Sequence, residues 1–167
     1  MNLHIRQSTL ADLPQLMQMA DNSRKIMRAT GNMHQWTNGY PSEEVFKNDI
    51  QHGNSYLIEN SDRTATATFA CIPSPEPTYA KIYKGQWLND SLPYYIIHRI
   101  ATMPQQKGIF KAILEYCWTR TTNLRIDTHR DNAIMQHLLQ KHGFKYCGII
   151  HLENGDERLA YQKIIEK

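Results

Sequence analysis

The residues best placed to do chemistry run Ile100-Ala101-Thr102-Met103-Pro104-Gln105-Gln106-Lys107-Gly108-Ile109-Phe110-Lys111. An apolar run ends there, a polar turn with one glycine follows, and a helical apolar pattern starts at once. That order reads as strand, tight turn, helix. The first N–H groups of a helix have no intrahelical acceptor and sit at the positive end of the helix dipole. They form a ready site for a phosphate or pyrophosphate, and Lys107 can add charge. An ordinary strand-to-helix turn has the same residue types, so the turn alone does not define a ligand. No G-K-[ST] follows the glycine and no G-x-G-x-x-G is present, so neither a Walker loop nor a dinucleotide fingerprint is predicted.

The elements that must position this turn can be read from periodicity. Leu3 to Gln7 predicts a first strand, with Ser8 or Thr9 capping a helix that carries Leu13, Leu16, Met17 and Ala20 on one face. A second helical stretch is expected from Ser23 to Ala29. The loop Gly31 to Pro41 follows, and Ser42 caps a helix with Glu43 and Glu44 in its first turn. Ser55 to Glu59 and Thr64 to Cys71 predict an antiparallel hairpin, the second strand having one buried face. Ile72 to Leu92 is a long connection broken by Pro73, Pro75 and Pro77. Such connections are either functional or tolerated excursions. Tyr94 to Thr102 is the most apolar strand, Ile109 to Arg120 a helix and Asn123 to Thr128 a strand. Asp131 or Asn132 opens a helix ending before Gly143. Phe144 to Leu152 and Glu157 to Ile165 predict a closing hairpin around Asn154-Gly155. The crossover from 94 to 128 implies parallel neighbours, while the ends imply antiparallel pairs. A single α/β domain over residues 1–167 follows, with a mixed, twisted sheet of six to seven strands and helices on both faces.

One crossover after the glycine turn comes Asp127-Thr128-His129-Arg130-Asp131-Asn132, and the next helix ends Lys141-His142-Gly143-Phe144. With these residues the chain resembles the GNAT superfamily of acetyl-CoA-dependent N-acetyltransferases. The family motif [QR]-x-x-G-x-[GA] is matched by Gln105, Gly108 and Ile109. Its later motif, an Asn opening a helix that ends in Gly-Phe, is matched by Asn132 and Gly143-Phe144. The order of elements matches over nearly the whole chain. Two positions depart from the pattern. Phe110 stands where a small residue lets the helix approach the phosphates. Leu139 stands where many members have a tyrosine that protonates the departing thiolate.

The resemblance implies a GNAT-like sheet in which two strands splay around a pantetheine arm. It implies that the backbone of Ile100, Ala101 and Thr102 pairs with that arm. Gln105, Gln106, Lys107, Gly108, Ile109, Phe110 and Lys111 then cradle the pyrophosphate, and Asn132 bonds the arm from the other side. Acetyl-CoA is the implied acyl donor, and a primary amine of a small molecule or peptide attacks it directly. Such chemistry needs a base of near-neutral pKa, for which histidine is the usual choice. His98 in the central strand and His129 beyond the next are the candidates, His129 having the better position; either can instead be structural. Cys147 lies near the implied thiolate but also reads as a core cysteine. Tyr161 is a further hydroxyl, though a strand tyrosine is more often packing. Acceptor recognition falls to the loop 31–41 and the connection 72–92, with Trp36, Tyr40, Tyr79, Tyr83 and Trp87 as aromatics and Glu76 and Asp90 to meet an ammonium. The competing reading is a non-catalytic acyl-CoA-binding module on the same fold, suggested by Phe110 and Leu139.

Composition excludes several other classes. Nineteen basic and sixteen acidic residues give a net charge of +3, and no basic stripe stands out, so nucleic acid is not expected. Three widely spaced cysteines form no CxxC pair, and the histidines form no HExxH, so neither a disulfide framework nor a metal site is predicted. No apolar run approaches ~20 residues, so no membrane helix is expected. Met1 to Leu10 is polar, and a cytoplasmic location is the default expectation. A homodimer stays open.

Overall fold

A computed structural model describes residues 2–166. In chain order its elements are β1 (His4–Gln7), α1 (Leu13–Ala29), α2 (Glu43–Gln51), β2 (Ser55–Glu59), β3 (Ala65–Pro73), β4 (Tyr95–Thr102), α3 (Ile109–Cys117), β5 (Asn123–Thr128), α4 (Ala133–Lys141), β6 (Lys145–His151) and β7 (Glu157–Ile164). The seven strands form one sheet in the order β1-β2-β3-β4-β5-β7-β6. Only β4 and β5 run parallel, joined by the crossover through α3. The mixed α/β sheet expected from the sequence is therefore the one observed. No helix among the described residues is long and apolar enough to cross a membrane.

Two layers cover the sheet. On one face α3 and α4 bury Ile97, Leu124, Ile126, Ile113 and Leu139. On the other, α1 and α2 bury Leu57, Ala65 and Ala101. Farther along that second face the long connection packs Tyr79 and Trp87 onto Ile96, Cys147 and Ala160. The connection is thus part of the core. Buried Arg125 holds it: the guanidinium lies 3.9 Å from the ring centres of both Trp87 and Tyr94 and donates to the Asn89 carbonyl.

Three local expectations change. The helix broken before Ser23 is continuous from Leu13 to Ala29. Asn22 and Ser23, whose side chains favour caps and turns, instead bond β4: Asn22 Nδ2 donates to the Thr102 carbonyl, and Thr102 N–H donates to Ser23 Oγ. The helix expected to reach Arg120 ends at Cys117. There the N–H groups of Thr119 and Arg120 bond three residues back, and Thr119 Oγ1 donates to the Tyr116 carbonyl, tightening the last turn. Finally, β3 is buried on both faces up to Cys71. Its threonines tolerate this because Thr66 and Thr68 hydroxyls donate to the Ile58 and Tyr56 carbonyls of β2.

Candidate active site

The parallel pair that centres the sheet is short. β4 and β5 pair only at Tyr95–Leu124 and Ile96–Arg125, then part. From Ile97 onward the β5 side of β4 has no strand partner, while β5 stays paired to β7 along its length. The gap opens into a cavity of about 490 Å³. Its walls include Ile97 to Ile100 of β4, Ile126 to Thr128 of β5, Gln35 to Asn38 and Tyr40 of the loop after α1, and Arg158 of β7.

A bulge in β4 shapes this wall. Opposite β3, Ala70 pairs with His98 but Thr68 pairs with Ala101, so Arg99 and Ile100 together face Phe69. The extra residue keeps Ile96, His98 and Ala101 on one face and Ile97 and Ile100 on the other. Arg99 takes a left-handed conformation, φ 53°, which is costly for a residue with a side chain. Its guanidinium is anchored to compensate. Nε and Nη2 donate to the two carboxylate oxygens of Asp49 in α2, each at 2.6 Å, and Nη1 donates to Tyr40 Oη at 2.9 Å. Burial alone would lower the Arg99 pKa, yet the hydrogen bonds with Asp49 hold it above its ordinary value.

Beyond β4 the turn carries the features expected of an anion cradle. Gly108 precedes α3 with φ 72°, a conformation suited to glycine. The first helical bond runs from Ala112 N–H to the Gly108 carbonyl, and the N–H groups of residues 105–111 have no acceptor among the described residues. Gln105, Gln106, Lys107, Gly108 and Lys111 are exposed there, and Ile109 is buried. Phe110 does not obstruct the turn. Its ring points into the core against His142 and Phe144, with centroids 5.2 and 6.4 Å away. The residues present therefore leave room and donors for a pyrophosphate.

The backbone of Thr102 is already taken by Asn22 and Ser23, so the free edge of β4 lies upstream of it. Ala101 is buried against α1, whereas Ile100 lines the cavity. Asn132 also lines it. Its Oδ1 accepts from Met135 N–H, capping α4, and its Nδ2 donates to Gln35 Oε1 at 3.0 Å. Asn132 thereby ties the loop after α1 to the site. Arg28 fixes the same loop by donating to the carbonyls of Asn32, Gln35 and Trp36.

His98 and His129 fare differently. His98 lines the cavity, 24% exposed, with Nδ1 3.9 Å from Asp127 Oδ2. Burial pushes its pKa below the ordinary 6.5, against the opposing pull of Asp127. It is neutral at pH 7 and able to accept a proton. Asp127 is held in turn by Tyr79, whose hydroxyl donates to Oδ2 at 2.6 Å. Burial raises the Tyr79 pKa well above 10, so it stays a donor. His129 lies outside the cavity lining, and its Nδ1 accepts the Asp131 N–H at 3.0 Å. Burial lowers its pKa as well. Cys147 packs with Tyr79, Trp87 and Ala160, and burial raises its pKa, leaving a thiol that does not reach the gap. Tyr161 is likewise core, its pKa raised by burial. Leu139 of α4 is fully buried in the core. Of the long connection's aromatics, Tyr79 and Trp87 are buried, and Glu76 caps a short turn at Thr78 instead of facing the cavity.

Reading residue types alone passed over Asp127, Arg99 with Asp49, Thr128 and Arg158. A signal existed for one of them. Arg125 and Asp127 sit two apart on the strand Asn123–Thr128, which puts two charges on one face of a central strand. Among the described residues no group of three or more His, Cys, Asp or Glu is arranged to hold a metal ion.

No protein-family model matches the chain, and no curated protein matches it. Solved structures do. The chain is 34% identical to a GNAT-family acetyltransferase of Streptococcus agalactiae, with a TM-score of 0.88 over 99% of this chain and 96% of that one. A GNAT-family acetyltransferase of Listeria monocytogenes is 15% identical, TM-score 0.71, over 98% of this chain and 95% of that one. The ribosomal-protein-S18-alanine N-acetyltransferase of Escherichia coli is 16% identical, TM-score 0.61, over 99% and 96%. The last two are likenesses of fold, whereas the first extends to sequence along nearly the full length of both chains. On that match, and on the splayed sheet and glycine turn described above, this chain belongs to the GNAT family of acetyltransferases.

Proposed function

We propose that the protein transfers the acetyl group of acetyl-CoA to the amine of an acceptor by direct attack. The observation that carries this reading is the parting of β4 from β5 beside a turn whose N–H groups lack acceptors. A pantetheine arm fits the gap, and a pyrophosphate fits the turn. In this reading the free β4 edge from Ile97 to Ala101 pairs with the arm, residues 105–111 hold the phosphates, and Asn132 contacts the arm opposite.

The donor supplies an acyl group activated as a thioester. His98 takes the ammonium proton, being neutral and inside the cavity, while Asp127 and the Tyr79 hydroxyl behind it favour the imidazolium that results. The C–N bond forms as the C–S bond breaks. Of the two protons lost by the nitrogen, one leaves with sulfur and one reaches solvent through His98. His129 and Cys147 are assigned positioning and packing roles.

The buried Leu139 leaves α4 without a hydroxyl for the thiolate, which favours a second reading, a non-catalytic acyl-CoA-binding module. Two measurements separate these. Titration calorimetry with acetyl-CoA should show binding, and its absence up to millimolar concentration contradicts both readings. Steady CoA release that depends on an amine acceptor, followed with a thiol reagent, excludes the binding module.

A further inference from the structure

Among the described residues two arginines are buried, Arg125 and Arg158, and Arg99 is nearly so. Arg99 meets Asp49 and Arg125 meets Asp90. Arg158 is the exception. It is 7% exposed, it lines the cavity, and it makes no ion pair among the described residues. Its one hydrogen bond runs from Nη1 to the Glu157 carbonyl at 2.9 Å. A buried cation without a counter-ion is costly, and burial pulls its pKa below the ordinary arginine value. Asp127 and Asp156 are near enough to oppose that shift but do not pair with it.

A second buried group of the lining is unpartnered on the other face of the sheet. Thr128 is 1% exposed, its Oγ1 has no hydrogen-bond partner, and it too lines the cavity. Thr128 pairs with Leu159 across the β5–β7 ladder and Asp127 with Ala160, so Arg158 shares a face with Asp127 while Thr128 points to the opposite face. The cavity thus holds a buried fork of N–H donors without an acidic partner. On its β4–β5 side it also holds a carboxylate, Asp127, next to neutral His98. A guanidinium matches a carboxylate with two parallel bonds, and a single cation balances a single negative charge. The remaining acids of the lining, Glu153 and Asp156, are exposed in the β6–β7 turn, where water screens them.

We propose that the acceptor is a small amine that also bears a carboxylate, an amino acid in its simplest form. Arg158 holds the carboxylate, and Asp127 and His98 face the amine. This assignment rests on the acetyltransferase reading above and narrows its substrate class.

The test compares matched acceptors. The twenty L-amino acids, their amides and the corresponding decarboxylated amines are supplied with acetyl-CoA, and CoA release is measured. At least one acid should exceed its amide in kcat/KM by about tenfold or more, the scale of an unpaired buried polar group. Arg158→Gln should erase that preference by raising KM for the acid, with little change for the amide. Arg158→Lys should retain part of it. Acetyl-CoA affinity, measured by titration in each variant, should stay at the wild-type value and reports that the fold is intact. Amides or plain amines used as well as acids, or no acid used while acetyl-CoA binds, would overturn the inference and leave the CoA site standing. Failure of the wild-type protein to bind acetyl-CoA would instead remove the acetyltransferase reading and this proposal with it.

Discussion

One wall of the β4–β5 cavity is made of backbone, the other of side chains. The backbone wall is the bulged strand β4, the turn at Gly108 and the start of α3, where unpartnered N–H groups and a free strand edge face outward. The side-chain wall is Asp127, His98, Thr128 and Arg158, with the loop after α1 closing over them. Backbone donors suit a ligand of fixed chemistry such as a pantetheine pyrophosphate. Side chains suit a ligand that varies between relatives of one fold. In the proposed reading the two walls divide the labour: one holds the donor, the other chooses the acceptor and moves its proton.

The comparison can be broken most severely at His98. His98→Ala should lower kcat by about 100-fold or more, the usual scale for loss of a general base, with acetyl-CoA affinity nearly unchanged. Next comes the anchor of the bulge. Asp49→Ala leaves the Arg99 guanidinium buried without its carboxylate, and such losses cost about 3–5 kcal/mol. Thermal or denaturant unfolding should show it. On the backbone wall, Gly108→Val should weaken acetyl-CoA binding by roughly tenfold while sparing kcat at saturation. The cost there arises from φ 72°, since a β-carbon at Gly108 meets no atom of the protein. Gly108→Asn should be milder, because asparagine tolerates the left-handed region.

A smaller effect follows from titration. The folded pKa of His98 lies below 6.5, so its proton-accepting form persists above that pH and is lost as pH falls further. The kcat/KM profile should show an acidic limb with a midpoint below 6.5. The same depression means that the unfolded chain binds the proton more readily, so stability should also fall as pH drops below 6.5. His98→Gln should flatten that decline. The smallest effect belongs to His129→Ala, which should change kcat by less than about threefold if its Nδ1 serves only the Asp131 N–H.

The backbone wall was legible in the sequence because its residues are local. Gln105, Gly108, Asn132 and Gly143-Phe144 report turns and caps that short segments form by themselves. The seven strands were legible for the same reason. The doubt raised by Phe110 could not be resolved from sequence, since the direction of its ring depends on His142 and Phe144 more than thirty residues away. The side-chain wall was largely hidden. Arg99 meets Asp49 across fifty positions, and Tyr79 meets Asp127 across forty-eight. No period reveals such pairs. His129 looked better placed than His98 because it lies beside the loop leading to Asn132, yet it is His98 that the parting of β4 from β5 exposes to the gap. The long connection read equally as a functional loop or a tolerated excursion, and Arg125 and Trp87 lock it onto the sheet.

The division into two walls is tested most directly by a crystal structure with CoA bound. The account predicts the pyrophosphate within hydrogen-bond distance of the N–H groups of residues 105–111. It also predicts the pantetheine between β4 and β5, with its sulfur on the His98 side of the gap and Arg158 free of contact with CoA. A CoA molecule seated elsewhere, or one whose phosphates engage Arg158, would contradict it.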